Sequence, residues 1–212
     1  MMTDDLKSVL YTEEQIAKRV AEMGAELTRD YAGKNPIVVG ILKGASIFTT
    51  DIVRKIETPM QLDFMVVSSY GAGTKTSGTV RIRKDMDADV RDRHVIICED
   101  IIDSGVTMSN LFAMLETRKP ASLRLCALLS KPARREVDVK IDYCGWEVPD
   151  EFLVGYGLDY AERYRNLPCI GIRQLDDNHH PGYYLRPVGY SQGNVGKGAW
   201  HDAERRRSGG AG

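Results

Sequence analysis

Three largely unbroken apolar runs constrain this chain more than any other feature: IVVGIL at 37–42, HVIIC at 94–98 and SLRLCALL at 122–129. They lack the strict apolar–polar alternation of a half-exposed strand, so they read as strands buried on both faces. After the first comes the turn LKGAS and after the second the turn IIDSG, and each turn leads into residues with helical apolar spacing. Parallel neighbours need crossover connections, and helices supply both the crossover and the cover. The expected fold class is therefore α/β, an open, mostly parallel twisted sheet flanked by helices.

The remaining segments fit that frame. From Thr12 to about residue 32, Ile16, Val20, Met23 and Leu27 recur at spacings of three and four behind a polar start, which predicts an amphipathic helix. DFMVVSSY at 63–70 predicts another strand, and GAGTKTSGT at 71–79 a loop or long hairpin turn. Beyond Arg173, DDNHHPGYY, SQGNVGKGAW and ERRRSGGAG carry glycines and charges without an apolar period. The expected organisation is one domain over residues 1–175 and a partly ordered extension over 176–212. A chain of 212 residues that is 42% hydrophobic is long enough for one well-buried core.

Charge narrows the function classes. Lys and Arg total 29 against 30 for Asp and Glu, so no basic field is available to hold nucleic acid, and small ligands are the expected partners. Cys98, Cys126, Cys144 and Cys169 form no CxxC pair, and adjacent His179 and His180 have no third ligand at a fitting spacing; neither set predicts a metal site. The start MMTDDLKSVL lacks a signal-peptide pattern and no apolar run spans a membrane, so a cytoplasmic protein is expected.

The stretch VIICEDIIDSGVT, Val95 to Thr107, concentrates the chemistry. A buried strand delivers Glu99 and Asp100, then Asp103, then a small turn at a helix start. Ligands of parallel sheets bind at such carboxyl ends, and unpaired N–H groups at a helix start favour a phosphate. Carboxylates repel anions, so acids beside a phosphate cradle call for Mg²⁺ or sugar hydroxyls as mediators. The same residues also fit a plain helix cap, with Ser104 capping and the acids favouring the positive end of the helix dipole.

EDIIDSGVT closely resembles the phosphoribosyl pyrophosphate motif of the type I phosphoribosyltransferases. LKG at 42–44, SSYG at 68–71, KP at 131–132 and VGYGLDYAERYRNLP at 154–168 resemble, in order, the hypoxanthine-guanine branch of that family. The resemblance covers about residues 10–173. It implies a fold with a small hood region and a flexible active-site loop. It also implies purine salvage, with Mg²⁺-dependent transfer of phosphoribosyl from phosphoribosyl pyrophosphate to hypoxanthine or guanine, and a homodimer or homotetramer.

Position by position, it implies that Glu99 and Asp100 hold the ribose hydroxyls, partly through Mg²⁺, and that Asp103 accepts the purine N7 proton. Ser104, Gly105, Val106 and Thr107 would cradle the 5-phosphate. Lys43 and Gly44, with a Leu42–Lys43 peptide that the family can hold cis, would approach the diphosphate, and Arg165 would clamp it as it leaves. Lys131 would donate to the 6-oxo group, Phe152 would stack on the base, the Leu153 backbone would read its edge, and Asp159 would bind a second Mg²⁺. Ser69 and Tyr70 would belong to a lid, the loop around Ser69 to Lys84. Ala45 and Ser46 depart from the Ser-Phe pair usual after LKG. Two rivals stand beside this reading: a sensor of phosphoribosyl pyrophosphate on the same scaffold, and an enzyme selecting xanthine or adenine.

Overall fold

The computed structural model describes residues 2–69 and 80–174. Tyr70, the 71–79 loop, His179, His180 and the 176–212 extension lie outside them, and of Ser69 only the backbone is described.

The chain begins with a short 3-10 turn and strand β1 (Leu6–Tyr11), then helix α1 (Glu13–Asp30). Thr12 starts the helix with a reciprocal cap: its hydroxyl accepts from the Gln15 N–H, and the Gln15 side chain accepts from the Thr12 N–H. The predicted stripe Ile16, Val20, Met23 and Leu27 is fully buried. Next come β2 (Ile37–Leu42), α2 (Ser46–Val53), β3 (Gln61–Ser69), β4 (Val80–Lys84), β5 (His94–Ile102), α3 (Val106–Glu116) and β6 (Ser122–Ser130). The described chain ends with β7 (Tyr143–Glu147), β8 (Leu153–Val154) and β9 (Ile170–Arg173).

Six strands form the main sheet in the order β4-β3-β2-β5-β6-β7. All neighbours pair parallel except the edge pair β3 and β4. The three apolar runs are the central strands β2, β5 and β6, and their side chains supply both cores. On one face Val38, Ile96, Cys98, Cys126 and Leu128 pack against α1 and against Phe48 and Ile52 of α2. On the other, Val39, Ile97, Leu125 and Ala127 meet Met108, Leu111 and Leu115 of α3. Full burial of each large aliphatic side chain contributes about 1.5–3 kcal/mol before the entropy cost of ordering it.

A second, three-stranded antiparallel sheet, β1-β9-β8, joins the start of the chain to residues 153–173 and corresponds to the expected hood. Sequence reading left β1, β4, β7, β8 and β9 without strand assignments. Val80–Lys84, expected within the lid loop, forms the antiparallel edge instead. Its alternation of partly buried Val80 and Ile82 with exposed arginines and Lys84 is the period of a half-exposed strand.

The four cysteines are free, with Cys98 and Cys126 buried on neighbouring strands, as the apolar reading of them expects. No helix among the described residues is long and apolar enough to cross a membrane.

Candidate active site

Sheet order determines where a ligand can lie. The chain runs outward from β2 to β3 on one side and from β5 to β6 on the other, so β2 and β5 are adjacent strands whose connections depart in opposite directions. A crevice opens at the carboxyl ends of such a pair. It is a cavity of about 340 Å³, within the usual range for small-molecule sites. Its walls include Gly44 after β2, Glu99 and Asp100 on β5, the Asp103–Gly105 turn, Thr107, Lys131 after β6, Phe152, Leu153, Asp159 and Arg165. Val106 and Lys43 are not among the lining residues. The lining also contains Ile41, Val67, Met108 and Leu158, to which sequence reading gave no individual role in the site.

Two close backbone approaches shape the crevice. A side chain at Gly44 would place its Cβ 1.9 Å from Asp100 Oδ2, so the absence of one lets the carboxylate lie against the turn. The Leu42–Lys43 peptide preceding it is cis. At Gly157, with φ +100°, a Cβ would come 2.1 Å from the carbonyl oxygen of Gly44. The loop after β8 therefore rests backbone to backbone on the turn after β2.

The turn into α3 has the geometry of an open helix start. Its N-cap is Gly105, at φ +81°, and no side chain caps the helix; Ser104 Oγ reaches only the Val106 N–H, at 3.4 Å. Ser104 thus sits one position before the N-cap, and its hydroxyl still accepts a helix-start N–H, so the plain-cap reading is met in part. The Glu136 and Val137 N–H groups both donate to the Ser104 carbonyl, at 2.9 and 3.1 Å. Because a trans amide carries its C=O and N–H in opposite directions, anchoring that carbonyl turns the Gly105 N–H away from the 136–137 strap. The start of a helix with unpaired N–H groups and a positive dipole end attracts phosphate.

The acids differ in environment. Burial and the neighbouring Asp100 carboxylate push the Glu99 carboxyl well above its ordinary range. Burial likewise raises Asp100, to about 6, against the opposing pull of the Ile101 N–H and the Arg165 charge. Two adjacent carboxyls with raised proton affinity form a hard-oxygen pair short of positive charge, and this fits Mg²⁺, which takes one or two protein carboxylates and completes its shell with water and substrate oxygens. No group of three candidate ligands converges among the described residues.

Asp103 and Lys131 face each other. Lys131 Nζ lies 3.8 Å from Asp103 Oδ1. That oxygen is buried and has no hydrogen-bond partner among the described residues. Burial lowers the Lys131 pKa, and the Asp103 charge opposes that shift. The Lys131 N–H donates to the Ile102 carbonyl at 2.9 Å, which ties the lysine to the end of β5. Phe152 packs edge-on to Tyr160, with ring centroids 5.5 Å apart, and the Arg173 guanidinium sits 4.1 Å from the Tyr160 ring centre.

At the far end, Arg165 donates to the Gly157 carbonyl at 2.8 Å and pairs with Asp159 at 2.8 Å. Asp159 also accepts the Glu162 N–H, at 2.8 Å. Lys43 points outside the lining, paired with Glu162 at 3.1 Å. Glu162 was not singled out in sequence reading. Its partners lie three and 119 positions away, and no local pattern announces the longer approach.

Comparison with known proteins agrees with this geometry. Residues 8–161 match the phosphoribosyl transferase domain model. The chain belongs to the phosphoribosyltransferase family. Within it, the hypoxanthine-guanine phosphoribosyltransferase of Bacillus subtilis is 52% identical over 172 residues, covering 81% of this chain and 96% of that protein. The bifunctional TilS/HprT protein of Listeria monocytogenes is 53% identical over 171 residues, and the chain spans only 26% of its length. A crystal structure of a hypoxanthine phosphoribosyltransferase from Staphylococcus aureus superimposes with a TM-score of 0.80 at 48% identity, over 82% of this chain and 94% of that one.

Proposed function

We propose that this chain is a purine-salvage enzyme, a hypoxanthine-guanine phosphoribosyltransferase that transfers phosphoribosyl from phosphoribosyl pyrophosphate to hypoxanthine or guanine and releases pyrophosphate. One observation carries the reading: a single crevice holds an uncapped helix start, an adjacent acid pair and a buried lysine facing an aspartate. These are complements, in order, to a phosphate, a ribose diphosphate with its cation, and an oxopurine.

In this reading Ser104, Gly105, Val106 and Thr107 hold the 5-phosphate through N–H groups, and Glu99 and Asp100 hold the ribose hydroxyls. Glu99 and Asp100 would hold Mg²⁺, and Asp159 a second ion, and the metal would supply positive charge against the diphosphate. Asp103 takes the N7 proton as the purine nitrogen bonds to the anomeric carbon, and Arg165 stabilises the departing diphosphate. Lys131 donates to the 6-oxo oxygen, Phe152 stacks on the ring, and the Leu153 backbone reads its edge. Lys43 and Gly44 approach the diphosphate, while Ser69 and Tyr70 belong to a lid that excludes water from a ribosyl cation-like transition state. We read residues 1–175 as the transferase domain and 176–212 as an extension, in a cytoplasmic homodimer or homotetramer.

The test is product formation from phosphoribosyl pyrophosphate and Mg²⁺ with hypoxanthine, guanine, xanthine and adenine supplied separately. Hypoxanthine and guanine should be converted. Adenine, whose amino group cannot accept from Lys131, should be poorer by about ten-thousandfold, and excess chelator should stop turnover. Equal use of adenine would overturn the assignment of Lys131, and full turnover in chelator would overturn that of Mg²⁺.

A further inference from the structure

We infer that Glu162 is a built-in counter-anion, which holds Lys43 and Arg165 together before substrate binds and is displaced by the diphosphate of the substrate. The inference rests on the phosphoribosyl-transfer reading, because that reading makes both cations diphosphate ligands.

Four observations converge on it. Glu162 Oε2 lies 3.1 Å from Lys43 Nζ and 3.6 Å from Arg165 Nη2, so one carboxylate oxygen serves two cations from distant parts of the chain. Arg165 is fixed by other bonds, to the Gly157 carbonyl and to Asp159, and its buried Nε has no hydrogen-bond partner among the described residues. It therefore keeps donor capacity and a set position whether or not Glu162 is engaged.

Glu162 itself stands in a tight turn in which Ala161 and Glu162 are both left-handed, at φ 51° and 64°. Non-glycine residues take up such backbone at a cost, and it persists where surrounding bonds hold it, often at ligand clamps. Here Asp159 holds it by accepting the Glu162 N–H. Finally, the Glu162 and Lys43 side chains are each 65% exposed. Solvent reaches the pair, so an incoming anion can exchange with it without opening the core.

The physical consequence is selectivity among anions. Without Glu162, Asp159 would still pair with Arg165, but Lys43 would lose its carboxylate, and the two cations would repel each other more and take up small anions more readily. With Glu162 between them, an incoming anion gains only the difference between its own attraction and that of the carboxylate. A diphosphate, with several charges and many acceptor oxygens, exceeds a single carboxylate; chloride or acetate does not.

Exposed ion pairs are individually weak, so for two of them the effect is about three- to tenfold in affinity. Glu162→Gln keeps the side-chain length and the N–H bonded to Asp159 while removing the charge. Titration of inorganic pyrophosphate, at fixed Mg²⁺ and low salt, should show binding about three- to tenfold tighter in Glu162→Gln than in wild type. The gap should narrow in about 0.5 M salt, where exposed charges are screened. Glu162→Asn, suited to left-handed backbone and too short to bridge both cations, should behave likewise.

Equal or weaker pyrophosphate binding in both folded variants would overturn the inference, because a carboxylate that merely braces the loop would loosen the site when removed. Absence of pyrophosphate binding in wild type and variants alike would overturn instead the phosphoribosyl-transfer reading beneath it.

Discussion

Gly44→Ala tests whether the crevice depends on contact between the turn after β2 and the acid pair. The added methyl carbon would lie 1.9 Å from Asp100 Oδ2 and 2.8 Å from its carboxyl carbon. Ordinary contact begins near 3.4 Å, so the oxygen must retreat by about 1.5 Å or the turn must withdraw by as much. The turn has little room, because its carbonyl already supports Gly157. The displacement therefore falls on Asp100, a group proposed to hold the ribose. Misplacing a positioning group by about 1 Å costs on the order of a hundredfold in rate, or about 2.7 kcal/mol of transition-state stabilisation. Gly44 has no positive φ in the structure, so alanine is acceptable to the backbone and the loss should be kinetic. Steady-state nucleotide synthesis should show kcat/KM for phosphoribosyl pyrophosphate reduced about a hundredfold, with the melting temperature nearly unchanged. A folded variant within threefold of wild-type kcat/KM would refute the reasoning, since it would mean that Asp100 can move freely without consequence.

Two other perturbations address different links. Asp103→Asn keeps the shape and removes the proton acceptor; kcat measured under chemistry-limited conditions should fall about a hundredfold to ten-thousandfold while binding of phosphoribosyl pyrophosphate persists, and an unchanged kcat would move the base elsewhere. Asp63, nearly buried, accepts N–H bonds from Phe64, Asp87 and Ala88. Burial alone would raise its pKa, but those donors and Lys84 together hold it below the ordinary carboxylate value. Its stabilisation is therefore complete above the unfolded-state value, near 3.9, and is lost as pH falls through the lower folded value. Asp63→Ala should destabilise the fold by about 2–4 kcal/mol in denaturant titration at pH 7, with the gap closing as pH drops below about 4; a constant gap down to pH 2 would count against the carboxylate's role.

How much of this was legible in the sequence depended on whether a segment takes its character from its own residues or from distant partners. Ile37–Leu42, His94–Ile102 and Ser122–Ser130 could be read because burial on both faces writes an unbroken apolar string. The capping box at Thr12 and Gln15 is equally local. β1, by contrast, has no buried residue and gains its strand character by pairing with Ile170–Arg173, about 160 residues on; β8 has only two residues. In the site, the acids and the helix start were legible because one strand and one turn bring them together. The Lys43–Glu162 pair and the Gly44–Gly157 approach were not, because they exist only once the loop after β8 has folded back over β2.

That backbone approach divides the crevice into two materials. The wall proposed to face the sugar and phosphates is shaped by close approaches of main chain, with Gly44 against the Asp100 carboxylate, Gly157 on Gly44, and Gly105 against the Val137 carbonyl. A side-chain change can intrude on such a wall but cannot re-sculpt it. The wall proposed to face the base is shaped by side chains, Lys131 and Phe152 above all. The two halves should therefore differ in how readily they accept new chemistry: the choice of base can drift or be redesigned by substitution at 131 and 152, while the grip on the phosphoribosyl group stays tied to the path of the chain.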